Sequence, residues 1–568
     1  MSRLVTLPPE VLDSIFRYFS VRDRWQFSAV CHSWRSVMMH WHGMWEQLLT
    51  SDYKSLATMT VAALSLYKDY VNGAFVKRVW ANVHSEYNLP AIIDFLKGQK
   101  CNTIVEVGIS APYMAKSSFL QLAEFCARTL TRLSFTFSSS DTNHYNPSPD
   151  DILHHCQSLK SLYYTGPVHS IRQWKTLSSS SSALKKHKHL VDLALNLSNS
   201  DGSFEARRIL AMTPHIQRLR LGLRNIKHTS ATLIPGILRR HCRELVTLVL
   251  HSHSNDTIDS ASLSMDRRTV ASSGLENLVF HDSFDQYCDT RQVVQLLAIE
   301  YCQSLYSLDI KCGYRPYSKQ STMERLSSVI FPCLCRFILN DRVESVLKTR
   351  PTESHRGMSR FLAYSVPNLT HLDLTCFEGG MELASFATNA KRLHTLNLSQ
   401  CTGIDSQQLT AFFTALSRQD DKRTRPTKLV SIKFCNMPSV STEVLLSMAS
   451  SPLGCGLKEL TIDHCENVTL DDIDRFLDTI VISGRRHFMI HKLNINLVYY
   501  NDDDPQEAPH PFPDRDKVNK MLRNLDSRAM EWTFSLTRYF ELSMGMERHD
   551  HMLYRKRLLC DSQDLSLV

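Results

Sequence analysis

The sequence predicts an α/β chain: a small helical N-terminal module, then a long solenoid of parallel strands with helices returning along the other face. Three observations predict it. The spacing L-x-x-L-x-L, clearest in Leu393-His394-Thr395-Leu396-Asn397-Leu398, recurs along most of the chain. The intervals between copies carry apolar residues at helical spacing. Residues 1–50 break from this period and hold short helical stripes with four tryptophans.

In chain order, residues 4–19 read as a helix with prolines at its start: Leu7-Pro8-Pro9-Glu10, then Val11, Leu12, Ile15, Phe16 and Phe19 on one stripe. A second helix is expected from Asp23, as N-cap, through Trp25, Phe27, Val30, Cys31 and Trp34, and a third through Met38, Trp41 and Trp45. Trp25, Trp34, Trp41 and Trp45 are more aromatic surface than so short a segment buries internally. Part of it should meet another protein or the first repeats.

In order and spacing, Leu7-Pro8-Pro9-Glu10-Val11-Leu12, Ile15-Phe16, Val30-Cys31-His32-Ser33-Trp34 and Trp45 resemble the F-box motif. Val21 and Arg24 stand where that family often has proline and leucine, and Phe19 where it often has leucine. The resemblance implies a three-helix F-box that docks on a Skp-type adaptor and, through it, on the cullin and RING subunits of a ubiquitin ligase. Carried over residue by residue, it makes Leu7, Pro8, Val11, Leu12, Ile15, Phe16, Val30, Cys31 and Trp34 the adaptor-binding residues. Internal packing over the first repeat is the other reading of these apolar side chains, and for Val30 and Trp34 the two stand level.

Residues 51–75 carry a further helical pattern, Val61, Leu64, Leu66, Tyr67 and Tyr70, expected to couple the module to the solenoid as a packed joint. The solenoid is expected over residues 76–500. Its strands are marked by Leu159/Leu162/Tyr164, Leu190/Leu193/Leu195, Ile216/Leu219/Leu221, Leu245/Leu248/Leu250, Leu275/Leu278/Phe280 and Leu305/Leu308/Ile310. They continue with Leu334/Phe337/Leu339, Leu369/Leu372/Leu374, Leu393/Leu396/Leu398, Leu429/Ile432/Phe434 and Leu457/Leu460/Ile462. Weaker copies at Val76/Val79, Val105/Val107, Leu130/Leu133/Phe135 and Leu493/Ile495 extend the series.

Neighbouring copies lie about 24 to 36 residues apart. The fourth and sixth positions of each turn to one side of a strand, and the third, fifth and seventh to the other, so the leucines form a core only when units stack. Between strands, Val293, Val294, Leu296, Leu297 and Ile299, or Leu409, Phe412, Phe413 and Leu416, supply helical faces. Residues 138–150, 178–182, 311–322 and 341–357 are rich in turn-forming and polar types and read as surface loops. Past Tyr500 the repeat is expected to stop. Residues 501–568 read as an acidic, proline-containing connector, then one or two capping helices through Val518, Met521, Leu522, Leu525, Met530, Trp532 and Leu536, and a frayed end from His549.

The repeats resemble the cysteine-containing subclass of leucine-rich repeats. Cys401 and Cys465 follow the last strand apolar residue by three positions, and Cys156, Cys242 and Cys302 precede the first leucine by three. Small buried thiols at helix–strand corners account for them. The resemblance implies strands on a concave face and helices on a convex one, and the pairing of an N-terminal F-box with this repeat subclass is itself a family architecture.

A chain of 568 residues exceeds one compact core, a limit that a solenoid escapes by growing in one dimension. Hydrophobic residues at 43% and charged residues at 21% exclude a disordered chain. No apolar run spans a bilayer and Met1 to Pro8 lacks a signal-peptide core, so a cytoplasmic or nuclear chain with no membrane partner and 16 reduced cysteines is expected. The net charge of +8 comes in short pairs. Arg207-Arg208, Arg239-Arg240 and Arg485-Arg486 fall toward predicted helix ends, where cations suit the dipole, and this reading is preferred to a nucleic-acid site.

No catalytic residue and no cofactor is expected. His154-His155-Cys156, His241-Cys242 and His464-Cys465 set a thiol beside a base, but neighbours on a regular element point apart and these positions recur with the repeat. Cys333-Leu334-Cys335 has no second pair to complete a zinc site and reads as core. No glycine-rich phosphate loop is present.

The strand register puts Ser161 and Tyr163, Arg218 and Arg220, Thr247 and His251, Asn277 and His281, and Asp309 and Lys311 on the concave face. His371 and Asp373, Asn397, Lys433, and Glu459 and Asp463 follow, and together these are the candidate substrate-binding residues. Arginines early and carboxylates late suggest a polarised groove for a target with both charges; a solvated face with no single partner is the alternative. The whole implies a non-catalytic substrate-recognition subunit of a Skp-cullin-F-box ubiquitin ligase. The alternative is an interaction scaffold not coupled to ubiquitination.

Overall fold

The structure, a computed structural model, describes residues 8–19, 21–51, 60–83, 88–138, 146–166, 186–197, 202–222, 234–251, 274–281, 290–313, 322–342, 354–377, 382–389, 392–420, 429–450, 457–482, 490, 492–501, 515–526, 531–541 and 547–556. The chain forms two compact units, Met1–Gly274 with Asp285–Val293, and Leu275–Phe284 with Val294–Val568. Both are α/β, with parallel strands ordered as in the sequence and helices between them.

The first unit opens with α1 (Pro9–Phe16), α2 (Val21–Ser28) and α3 (His32–His40), followed by a single 3-10 turn, His42–Trp45. Proline suits the first position of α1 because the N–H it lacks would have no helical partner there. Helix α2 begins two residues before Asp23, which therefore sits in the first turn instead of capping it, still at the end that favours a carboxylate. Helix α3 ends where Trp41 turns extended, with φ −77° and ψ 120°, so Trp41 and Trp45 lie beyond the third helix and not on it.

Eight parallel strands follow: β1 (Gln47–Ser51), β2 (Arg78–Asn82), β3 (Glu106–Ala111), β4 (Arg132–Phe137), β5 (Ser161–Gly166), β6 (Asp192–Leu197), β7 (Arg218–Gly222) and β8 (Thr247–His251). Strand β1 was not expected. Its buried side chains are Leu48, Thr50 and Ser51, so the leucine signature never forms. The helical linker shrinks to short turns at Val61–Ala63, Leu64–Tyr67 and Gly73–Phe75, with Leu66 73% exposed.

The second unit carries β9 (Asn277–His281), β10 (Ser307–Gly313), β11 (Arg336–Arg342), β12 (His371–Thr375), β13 (Thr395–Ser399), β14 (Ser431–Cys435), β15 (Glu459–Asp463), β16 (Lys492–Asn501) and β17 (Glu531–Glu541), each parallel to the next. Strand β18 (Glu547–Lys556) runs antiparallel to β17. Among the described residues of the expected C-terminal cap only Arg515–Asp526 is helical, burying Val518, Met521 and Leu525. Trp532 and Leu536 belong instead to β17, in register with Leu493 and Leu497, and residues 549–556 are strand and not fray, the residues after them lying outside the described ones. Trp532, Phe534 and Leu536 alternate with period two, a strand signal that outweighs the sparser helical spacing.

Stacked leucines build the core of each unit. Leu372, Leu374, Leu396, Leu398, Leu460 and Ile462 are fully buried, as are Leu409, Phe412 and Phe413 on the helix Ser406–Asp420. Burying each such side chain is worth about 1.5–3 kcal/mol. After β12 to β15 the chain leaves the sheet through one left-handed residue each time: Cys376, Gln400, Asn436 and His464, with φ of 55°, 54°, 48° and 53°. The N–H of each donates at 2.8 Å to a carbonyl of the next strand, on Ser399, Cys435, Asp463 and Asn496 in turn, which locks the corner.

Loops are shorter than composition suggests. The helix Pro149–His155 starts inside the first, because Ser148 Oγ accepts from the Asp151 N–H at 3.1 Å while Asp151 accepts from the Ser148 N–H at 3.2 Å, a reciprocal cap. Strands β10 and β11 run to Gly313 and Arg342, and the helix Ser354–Arg360 begins inside the last loop. Residues 178–182, Arg485 and Arg486 lie outside the described residues. Arg239 and Arg240 occupy a last helical turn, whereas Arg208 ion-pairs with Asp150 at 3.0 Å. Cys333 is exposed and not core.

Candidate functional site

The N-terminal helices are held by an aromatic cluster. Phe16 of α1, 1% exposed, lies 6.1 Å from the Trp34 ring and 5.3 Å from that of Trp41; Phe27 meets Trp34 at 5.5 Å and stacks on Phe19 at 4.5 Å. Trp25 and Trp45 both contact Tyr67, at 5.7 and 5.8 Å, so the turn Leu64–Tyr67 covers part of the tryptophan surface. Arg24, buried, donates from Nε to the Phe19 carbonyl and from Nη1 to that of Gly43, with its guanidinium 4.9 Å over the Trp41 ring. Sequence reasoning missed this clamp, since an arginine in a helical stripe reads as solvated.

Of the residues assigned to adaptor binding, Phe16 and Trp34 are buried, Leu12 and Ile15 partly buried, and Pro8, Val11, Val30 and Cys31 exposed. Leu7 lies outside the described residues. Exposure of 42% at Val11 and 55% at Val30 leaves apolar surface on α1 and on the turn between α2 and α3, where Val30 stands off both helices.

On the strand face of the first unit, Trp80, Gly108, Ser134, Tyr163, Ala194 and Arg220 follow one another in register on β2 to β7. Arg218 is held by Asp192 at 3.5 Å, and His251 is buried. Trp80 escaped the sequence reading because its strand carries valine and alanine in the leucine slots.

The other candidates stand on the strand face of the second unit. Asp309, Asp373, Asn397 and Lys433 share one row, with Ile338 between the first two, and His281 and Lys311 flank it. Asp373 accepts from Asn397 Nδ2 at 2.9 Å; burial pushes its pKa up, an effect that the hydrogen bonds from Asn397 and Thr375 offset only in part. His281 approaches Asp309 to 4.0 Å. Burial and the nearby Arg336 hold His371 below the usual histidine range. Asp463 is raised by burial, but hydrogen bonds with His464 and from Asn496 (2.8 Å) outweigh that and leave it lowered. Lys311, Lys433 and Glu459 are exposed, Glu459 accepting from Ser431 Oγ at 3.3 Å.

Of the cysteines at the repeat corners, Cys156, Cys242, Cys401 and Cys465 are buried as expected, whereas Cys302 is only partly buried. Burial pushes the thiols of Cys156, Cys242 and Cys465 up to about 12 and that of Cys401 up to about 11. A thiol so raised stays protonated at neutral pH, so these positions lack a thiolate nucleophile. Among the described residues no three His, Cys, Asp or Glu side chains gather as metal ligands, and no helix is long and apolar enough to cross a membrane.

No curated protein matches the chain in sequence. Among solved structures it is similar to one described as the crystal structure of the Rad7 and Elc1 complex in yeast, with 15% identity and a TM-score of 0.30 over 57% of this chain and 79% of that one. The F-box-like family model matches residues 4–49, the stretch that holds α1 to α3 and the turn after them. The helical module at the start of the chain is an F-box-like domain.

Proposed function

We propose that the chain is a non-catalytic substrate-recognition subunit of a Skp-cullin-F-box ubiquitin ligase. The observation that carries this reading is an F-box-like domain with exposed Pro8, Val11, Val30 and Cys31, joined to strand–helix repeats with a broad polar strand face. In this reading residues 1–50 dock a Skp-type adaptor, residues 51–75 join them to leucine-rich repeats of the cysteine-containing subclass over 76–500, and residues 501–568 close the end. The strand faces hold a target protein in the cytoplasm or nucleus. The adaptor brings cullin, RING subunit and conjugating enzyme, and ubiquitin transfer to the target's lysines gains its rate from raised local concentration.

Co-purification of the full chain with a Skp-type adaptor, beside a version lacking residues 1–50, tests it. A stoichiometric complex formed only by the intact chain supports the reading. A folded full chain that retains no adaptor refutes it and leaves an interaction scaffold.

A further inference from the structure

The strand face of the first unit has its own chemistry, distinct from the solvated surface that alternating polar residues would give. Its middle row runs Trp80, Gly108, Ser134, Tyr163, Ala194, Arg220 across six adjacent strands. Trp80 is 42% exposed and Tyr163 38%, both on the face opposite the leucine core. The indole lies along the sheet over the next strand: a Cβ at Gly108 would fall 2.1 Å from its Cε3 atom, so only glycine admits the ring there. Ser134 and Ala194 stand on either side of Tyr163 and keep the surface low around it. The row thus holds two exposed aromatic side chains, Trp80 and Tyr163, separated by small residues.

Charge on this face is not balanced. Four arginines, Arg78, Arg132, Arg218 and Arg220, meet two carboxylates, Glu106 and Asp192. Those carboxylates are engaged by Arg132 at 3.7 Å and Arg218 at 3.5 Å. Arg78 reaches Glu46 at 3.9 Å. Arg220 has register neighbours Ala194 and Val249 and makes no ion pair or hydrogen bond among the described residues. A partly buried guanidinium between apolar neighbours favours an anion brought by a ligand. Tryptophan, tyrosine and arginine are also the side chains that dominate interface energies.

We propose that this row is the docking strip for an acidic, extended segment of a target protein, with two apolar side chains on Trp80 and Tyr163 and an acidic group on Arg220. This deepens the receptor reading and rests on it for the word target. Strands about 4.8 Å apart put Tyr163 about 14 Å from Trp80 and Arg220 about 10 Å further on. At about 3.3 Å per extended residue, the segment carries its apolar residues about four apart and its acidic group about three residues later. A carboxylate and a phosphate monoester share the chemistry that Arg220 requires.

An array of immobilised peptides with this spacing, ending in glutamate, phosphoserine or lysine, probed with the full-length chain, tests the strip. Retention of the glutamate or phosphoserine peptides over the lysine peptides is expected, the preferred one naming the source of the anion. Trp80→Ala, Tyr163→Ala and Arg220→Glu should each weaken binding about tenfold or more with an unchanged thermal melt, and Arg220→Glu should favour the lysine peptides. Equal retention of all three peptides, no retention, or folded variants that bind as the wild type does overturns the proposal. Adaptor binding is measured on the same preparations: peptide selectivity without adaptor keeps the strip and removes the ligase reading, and adaptor binding without selectivity does the reverse.

Discussion

Phe16 and Val30 show how one apolar pattern serves two purposes. Phe16 lies under Trp34 and Trp41, while Val30 is more than half exposed. Phe16→Ala should cost about 3–5 kcal/mol in a urea melt, whereas Val30→Asp should leave stability within about 0.5 kcal/mol. Asp472 offers a test by pH. Burial raises its pKa, but hydrogen bonds from Thr442 and Thr469 prevail and leave it lowered. Its contribution is therefore present above the unfolded value of about 3.9 and is lost as pH falls through the lower folded value. Asp472→Asn should destabilise at neutral pH, and the gap to wild type should close in acid. At this scale the apolar stripes were legible, but not which residue of a stripe is core, because that depends on the neighbouring helix. The buried Arg24 was illegible for the same reason: its acceptors are the carbonyls of Phe19 and Gly43, which spacing does not reveal.

Strands marked by leucines at the fourth and sixth positions appear where the spacing puts them, since neighbouring copies bury one another's leucines and fix the register. Where the signature was weak, context decided. Strand β1 has one leucine in the core, and β17 carries Trp532 and Leu536, which were expected on a helix. Two of the four corner residues, Cys376 and Gln400, were also invisible to composition, since cysteine and glutamine carry no turn signal. Gln400, at φ 54°, bears the steric cost of a left-handed backbone. Gln400→Gly should therefore stabilise the second unit by about 1 kcal/mol, minus whatever is lost with its contact to Cys376 Sγ, as read from the shift of a urea midpoint.

Across the whole chain, the division of labour is between an F-box-like domain that offers apolar surface and repeats that offer polar strand faces. The candidate residues fall in both units: Tyr163, Arg218, Arg220 and His251 in the first, and the rest of the strand-face set in the second. The order of modules was legible because each has its own period. Tyr163 and Arg220 were also placed on the strand face by the leucine spacing, but Trp80 was not, because its strand lacks that spacing, and the row that joins the three emerges only when strands are laid in register. The measurement that tests the central claim most directly is a titration of purified Skp-type adaptor into the full-length chain, alongside Val11→Asp and Val30→Asp. The account predicts saturable one-to-one binding that falls about thirtyfold or more in each variant while thermal melts stay unchanged. Absent binding, or binding untouched by both folded variants, would contradict it.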